Sequence, residues 1–161
     1  MRMRLYHGSV NMIEEPEFGV GNSKNDYGQG FYCTEHIELA KEWACAENRD
    51  GFANEYELET DGLSIMNLSD ARYHILKWLA ILLENRTFVI ERGLALTAKD
   101  YILSEFLPEY KNADVIRGYR ADDSYFSFAS AFRGCRHKVK ITRTKLQSVV
   151  SIFAVRIWTP E

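Results

Sequence analysis

The segment GQGFYCTEHIELAKEWA, Gly28 to Ala44, decides how this chain is read. Two glycines bracket one residue, an aromatic pair follows, and the segment ends in an amphipathic pattern. Gly-x-Gly occurs in dinucleotide-binding loops, but that fingerprint needs a third glycine, a strand before the loop and a helix opening from it. Here the glycines precede the short run Phe31-Tyr32-Cys33, and no third glycine follows at the required spacing. The spacing predicts a tight bend at Gly28 and Gly30, a short strand over 30–33, and then a helix. Thr34 is the expected N-cap, and Glu38 sits in the first turn, where a carboxylate suits the helix dipole. Ile37, Ala40, Trp43 and Ala44 fall on one helical face.

Upstream, Met3 to Tyr6 reads as a short strand, followed by "YHGS" at 6–9 and a polar, glycine-rich loop up to Gly30. Downstream, "ANEYELE" at 53–59 alternates as a strand does. "DARYHILKWLAILLENR" at 70–86 predicts a helix capped by Asp70, with an apolar stripe of Ile75, Leu76, Leu79, Leu82 and Leu83 and with His74 as a boundary residue. "TAKDYILSEFL" at 97–107 predicts a second helix, stopped by Pro108. A strand over 113–119, a capped helix over 122–132 and a strand rich in β-branched residues over 146–158 complete the order. Regular βαβ alternation is missing, so a doubly wound sheet is not expected; the order is that of an α+β protein.

With 161 residues, 46% hydrophobic and 27% charged, the chain suits one domain with its own core, residues 1–161. No apolar run reaches the length of a membrane span, and "MRMRLYHGS" carries no apolar leader segment. Three cysteines at unrelated spacings argue against a disulfide framework and for a reducing cytoplasm. The net charge of −3 hides a split: residues 1–123 carry 22 acids and 13 bases, while residues 124–161 carry 7 bases and one acid. Such a basic end could meet a nucleic acid or an acidic partner, or simply pair with the acidic body. Cys33-x-x-His36 and Cys135-x-His137 do not form a recognised zinc pattern, so no metal is expected.

Read together, "YHGS", "YGQGFYCT" and a Trp eleven residues after Tyr32 resemble the ADP-ribosyltransferase superfamily, in the branch of poly(ADP-ribose) polymerases and diphtheria-type toxins. The chain resembles most closely a group of small, mostly bacterial proteins of that fold described only as a domain of unknown function. "GFYCT", "AKEWA", "KWLAILLENR" and "GYRADDSYFSFA" carry that resemblance, which is strongest over 4–132 and fades in the C-terminal part. It implies a split antiparallel β-sandwich with flanking helices, NAD⁺ as substrate and no membrane. It also implies the context of a cytoplasmic toxin of a toxin–antitoxin or conflict system, with an antitoxin protein as partner.

By the same resemblance, Tyr32 and Trp43 would be the two aromatic walls around the nicotinamide ring, a planar cation suited to such a slot. The backbone N–H and C=O of Gly8 would meet the carboxamide, His7 would bond the adenosine-side ribose, and Ser9 would support the loop. Many transferases of this fold place a glutamate on a late strand to hold the other ribose and activate the acceptor. No glutamate lies between Glu109 and Glu161, and Gln147 is the candidate for that position. A glutamine can hold a hydroxyl but cannot act as a base. Asp122 and Asp123 either cap the helix that follows or line the acceptor side and supply the base.

Two functions are therefore expected from these residues. The first is an NAD⁺-dependent ADP-ribosyltransferase that cleaves the nicotinamide–ribose bond and modifies a protein or nucleic acid. The alternative is a catalytically degenerate module of the same fold that binds NAD⁺, another nucleotide or a partner.

Overall fold

A computed structural model describes residues 1–17, 19–45, 50–88 and 93–121, and the backbone of 151–155. Gln147, Asp122 and Asp123 lie outside the described residues, as does the helix expected over 122–132.

The described elements run β1 (Arg2–Ser9), β2 (Phe31–Cys33), α1 (Ile37–Ala44), β3 (Phe52–Glu59), β4 (Ile65–Asn67), α2 (Ile75–Asn85), α3 (Leu94–Phe106), β5 (Val115–Tyr119) and β6 (Ser151–Val155). They form an α+β structure with two sheets. One is the antiparallel ribbon β1–β3; the other has the order β2-β6-β5-β4. The β4–β5 pair is parallel, so the second sheet is mixed and not antiparallel throughout as expected. No helix among the described residues is long and apolar enough to cross a membrane.

The ribbon follows from alternation over Arg2–Leu5 and over Glu55–Glu59. Arg2 and Arg4 lie on one face and meet Glu57, Glu59 and Glu55 at 3.2–3.4 Å across the ladder. Those exposed pairs set register more than stability. The other face brings Leu5 to Cys33 and Val115, with Met3, Phe31, Leu58 and Leu63 around them. Strand β5 is central and buried on both faces. Val115 enters that small cluster, while Ile116 enters a larger one with Tyr27, Leu68, Trp78 and Ile81.

Several boundaries differ from expectation for identifiable reasons. Strand β1 extends through Ser9, so His7-Gly8-Ser9 is strand and not the turn after it. Thr34 does not cap α1. It is fully buried and bridges to Tyr6, its Oγ1 accepting the N–H of His36, and His36 takes the N-cap place without a side-chain bond. Helix α2 starts at Ile75, not at Asp70. His74 is its N-cap, its Nδ1 accepting from the Leu76 N–H at 3.2 Å, while Asp70 is spent on a turn closed by the Tyr73 N–H. Strand β4 carries no sequence signal beyond three residues and exists because β5 offers it an edge.

Candidate functional site

The site begins where β1 and β2 part. Tyr6 and Thr34 exchange backbone hydrogen bonds of 2.7 and 2.9 Å. In antiparallel register the next such pair would be Gly8 with Tyr32. That pair does not form: β2 turns to β6, with Tyr32 opposite Ala154. The imidazole of His7 spans the opening and donates from Nδ1 to the Tyr32 carbonyl at 2.7 Å.

The phase of the β1–β3 ladder decides what faces this opening. Thr60 N–H bonds the Met1 carbonyl, so odd-numbered residues of β1 exchange bonds with β3 and even-numbered ones face away from it. Tyr6 spends its outward groups on Thr34. Gly8, on the same edge, presents its N–H and C=O to the split, and no described residue bonds them. Behind Gly8 lies α1. A Cβ there would stand 1.9 Å from the Ala40 carbonyl oxygen and 2.8 Å from the Ala44 nitrogen. The glycine is thus required by the helix packed on it, with Ala40 and Ala44 small enough to allow the approach.

His7 is neutral at physiological pH. Burial lowers its pKa below the ordinary 6.5, and the bond to Tyr32 offsets this only in part. With Nδ1–H committed to the carbonyl, Nε2 is left as an acceptor. The Phe31 ring lies 4.3 Å from the imidazole and fixes its plane.

Tyr32 is held from the opposite side. Its hydroxyl accepts the Tyr27 N–H at 3.0 Å and donates to the Gly28 carbonyl at 2.7 Å. Gly28 has φ +78°, a left-handed conformation, and a Cβ there would meet Asn85 Oδ1 at 2.5 Å. Tyr27 donates to the Tyr119 carbonyl at 2.6 Å, and Trp78 Nε1 reaches the same oxygen at 3.1 Å. Burial keeps the Tyr27 phenol protonated, well above its ordinary range. Next to it, the buried carboxylate of Asp26 pairs with Arg86 and accepts the Ala121 N–H at 2.9 Å. Burial raises its pKa; the amide and the guanidinium oppose that rise.

His7, Ser9, Met12, Ile13, Phe31 and Tyr32 contribute to a cleft of about 770 Å³, whose lining also includes Glu14, Glu15 and Glu17. Ser9 donates from Oγ to the Asn11 carbonyl. Trp43 is not among the residues lining this cleft. It sits on α1 beside Gly8, packs with Tyr32 against the larger core cluster, and carries the Arg120 guanidinium 5.5 Å from its ring centre. The structure therefore brings His7, Ser9 and Tyr32 to one cleft, while Gly8, between His7 and Ser9 on β1, packs against α1 beside Trp43 and, like Trp43, is not among the lining residues. Cys33 is buried beside Leu5 and Val115, and that burial pushes its thiol up to about 12.

Sequence reasoning missed the supports. Asn54 and Tyr56 of β3 tie the cleft loop at Ile13, Arg86 pairs with Asp26 at the bend, and Asn85 packs closely against Gly28. The strings "NDYG" and "ENR" were the visible signal, but their partnership spans the chain and only the fold joins them.

No curated protein and no solved structure matches this chain. One family matches over residues 3–152, described as "Protein of unknown function (DUF3990)". That span is nearly the whole chain, and the protein belongs to the DUF3990 family.

Proposed function

We propose that the protein is an NAD⁺-dependent ADP-ribosyltransferase, with the split between β1 and β2 as its nicotinamide site. The observation that carries this reading is the unspent donor–acceptor pair of Gly8 beside Tyr32. A carboxamide needs one acceptor for its N–H and one donor for its carbonyl, both in one plane, and a strand edge offers that spacing. Among the described residues the two sheets share one backbone bridge, Tyr6–Thr34, and the apolar contact of Leu5 with Cys33 and Val115, which fits the expected split sandwich.

In this reading His7 Nε2 accepts a ribose hydroxyl, and the Tyr32 ring covers one face of the nicotinamide. Bond cleavage sends the electron pair of the C1′–N bond to nicotinamide and leaves an oxocarbenium-like ribose. Orientation and exclusion of water are then the chain's main contributions. Gln147 would hold the second ribose, and Asp122 or Asp123 would take the proton of a protein or nucleic-acid acceptor. A conflict-system role, with an antitoxin partner, belongs to the same proposal.

The test is nicotinamide release from NAD⁺ with cell extract present, followed by chromatography. Wild type is expected to release nicotinamide, and Tyr32→Ala to reduce it about a hundredfold through lost positioning. Protonation of His7 removes the Nε2 acceptor. Its folded pKa lies below 6.5, so activity should persist down to that pH and fall only in more acid buffer. A wild-type protein that neither binds nor turns over NAD⁺ sinks the proposal.

A further inference from the structure

We infer that Asn54 is a positioning residue for the cleft, acting through the peptide plane that joins His7 to Gly8. This rests on the reading of the split as a nicotinamide site. The carbonyl of that peptide belongs to His7 and faces β3; its N–H belongs to Gly8 and faces the split. His7 and Asn54 are register partners, and the ladder phase makes them a pair that exchanges both backbone bonds.

Asn54 adds a second donor to the same oxygen: its side-chain Nδ2 reaches the His7 carbonyl at 3.2 Å. The same amide nitrogen donates to Ser9 Oγ at 3.2 Å, and Oδ1 accepts the Ile13 N–H at 3.0 Å. One side chain thus fixes the peptide plane, the serine after it and the start of the cleft loop.

The consequence is electronic as well as geometric. A carbonyl that accepts two hydrogen bonds is more polarised, and the N–H of its own peptide becomes a stronger donor. That N–H is the group offered to a ligand. Its direction is set by the same plane, so Asn54 both aims and strengthens a donor that it does not touch.

Tyr56 supplies the control. Its hydroxyl donates to the Ile13 carbonyl, so it secures the same loop without contact to His7 or Ser9. Asn54→Asp is the second informative variant. A carboxylate keeps the acceptor for Ile13 N–H and loses the donors to His7 and Ser9.

The experiment measures nicotinamide-release kinetics and the Gly8 amide proton resonance in wild type, Asn54→Ala, Asn54→Asp and Tyr56→Phe. Both Asn54 variants should raise KM for NAD⁺ about tenfold with kcat within about twofold, since uniform binding is what is lost. Both should move the Gly8 amide proton upfield. Tyr56→Phe, which frees only the loop, should leave the Gly8 amide proton where it is in wild type. Equal effects in Tyr56→Phe would reduce Asn54 to a loop anchor and overturn the inference, as would a wild-type KM or an unmoved Gly8 resonance in either Asn54 variant. Asn54→Asp keeps the size of the side chain and serves if Asn54→Ala fails to fold. Absence of NAD⁺ binding in wild type overturns the functional reading instead, and the Gly8 resonance then still decides whether Asn54 acts on this peptide.

Discussion

Tyr32 and Ser9 belong to two parts of one cleft wall and are held in unlike ways. Tyr32 hangs from a bend built on two buried residues: Asp26, paired with the half-buried Arg86, and Tyr27 on the Tyr119 carbonyl, with Asn85 packed against Gly28. Tyr27 is fully buried and belongs to the larger aromatic core, against which Tyr32 itself packs. Ser9 leads into an exposed loop, with Val10 53% and Met12 62% accessible, tied down by Asn54 and Tyr56 from a two-stranded ribbon. The first wall is part of the folding unit; the second is local and can open without unfolding the rest. A ligand entering this cleft would therefore meet one fixed surface and one that adjusts.

The comparison breaks most visibly at Arg86. Removing it leaves Asp26, 3% accessible, as a buried carboxylate without its cation. Arg86→Ala should cost about 3 kcal/mol at neutral pH, the lower end for such pairs because the arginine itself is partly exposed. The loss should shrink in acid. Burial raises the Asp26 pKa, so the folded state keeps that proton to higher pH than the unfolded chain does. The protonated group's contribution is fully present below the ordinary carboxylate value and lost as pH rises through the folded one. Without Arg86 the folded pKa rises further, so the variant should approach wild type at low pH. Urea unfolding at acid and neutral pH checks this; an equal deficit at both would mean the fixed wall does not depend on this pair.

Gly8→Ala tests the junction between the walls. The new methyl would meet backbone atoms of α1, which cannot rotate away. Overpacking of this kind costs about 2 kcal/mol, or roughly a 4–8 °C fall in Tm for a chain of this length. NAD⁺ affinity should fall with it, because α1 and the Gly8 peptide would separate. An unchanged Tm would show that α1 does not rest on Gly8.

The two walls were also unequally legible in the sequence. The bend at Gly28 and the short strand carrying Tyr32 could be read from local chemistry, because a positive φ selects glycine. Helix positions were read from periodicity, but their starts were not. Thr34 is a good cap by type, yet a β-bridge to Tyr6 claims its backbone, and His74 caps α2 with an imidazole nitrogen that pattern rules do not weigh. His7, Gly8 and Ser9 were recognised only through a resemblance. Their placement on one strand, with alternate groups facing the split, needed the register with β3. Asn54 was unreadable for the same reason: its role depends on lying opposite His7, and nothing local says so.

The smallest effect should come from the adjustable wall's charge. Glu14, Glu15 and Glu17 line the cleft, and no described residue forms an ion pair with them. Carboxylates there favour the cationic nicotinamide ring but oppose a pyrophosphate, and NAD⁺ carries net negative charge. Repulsion therefore exceeds attraction once the whole molecule is close, though water and salt screen most of it. Replacing all three by Gln should tighten NAD⁺ binding a few-fold at low ionic strength and leave it unchanged in high salt. Calorimetric titration at two salt concentrations separates the outcomes. Weaker binding in the triple variant would mean that the glutamates hold the ligand's cationic end, which would make the loop a recognition surface instead of a mobile rim.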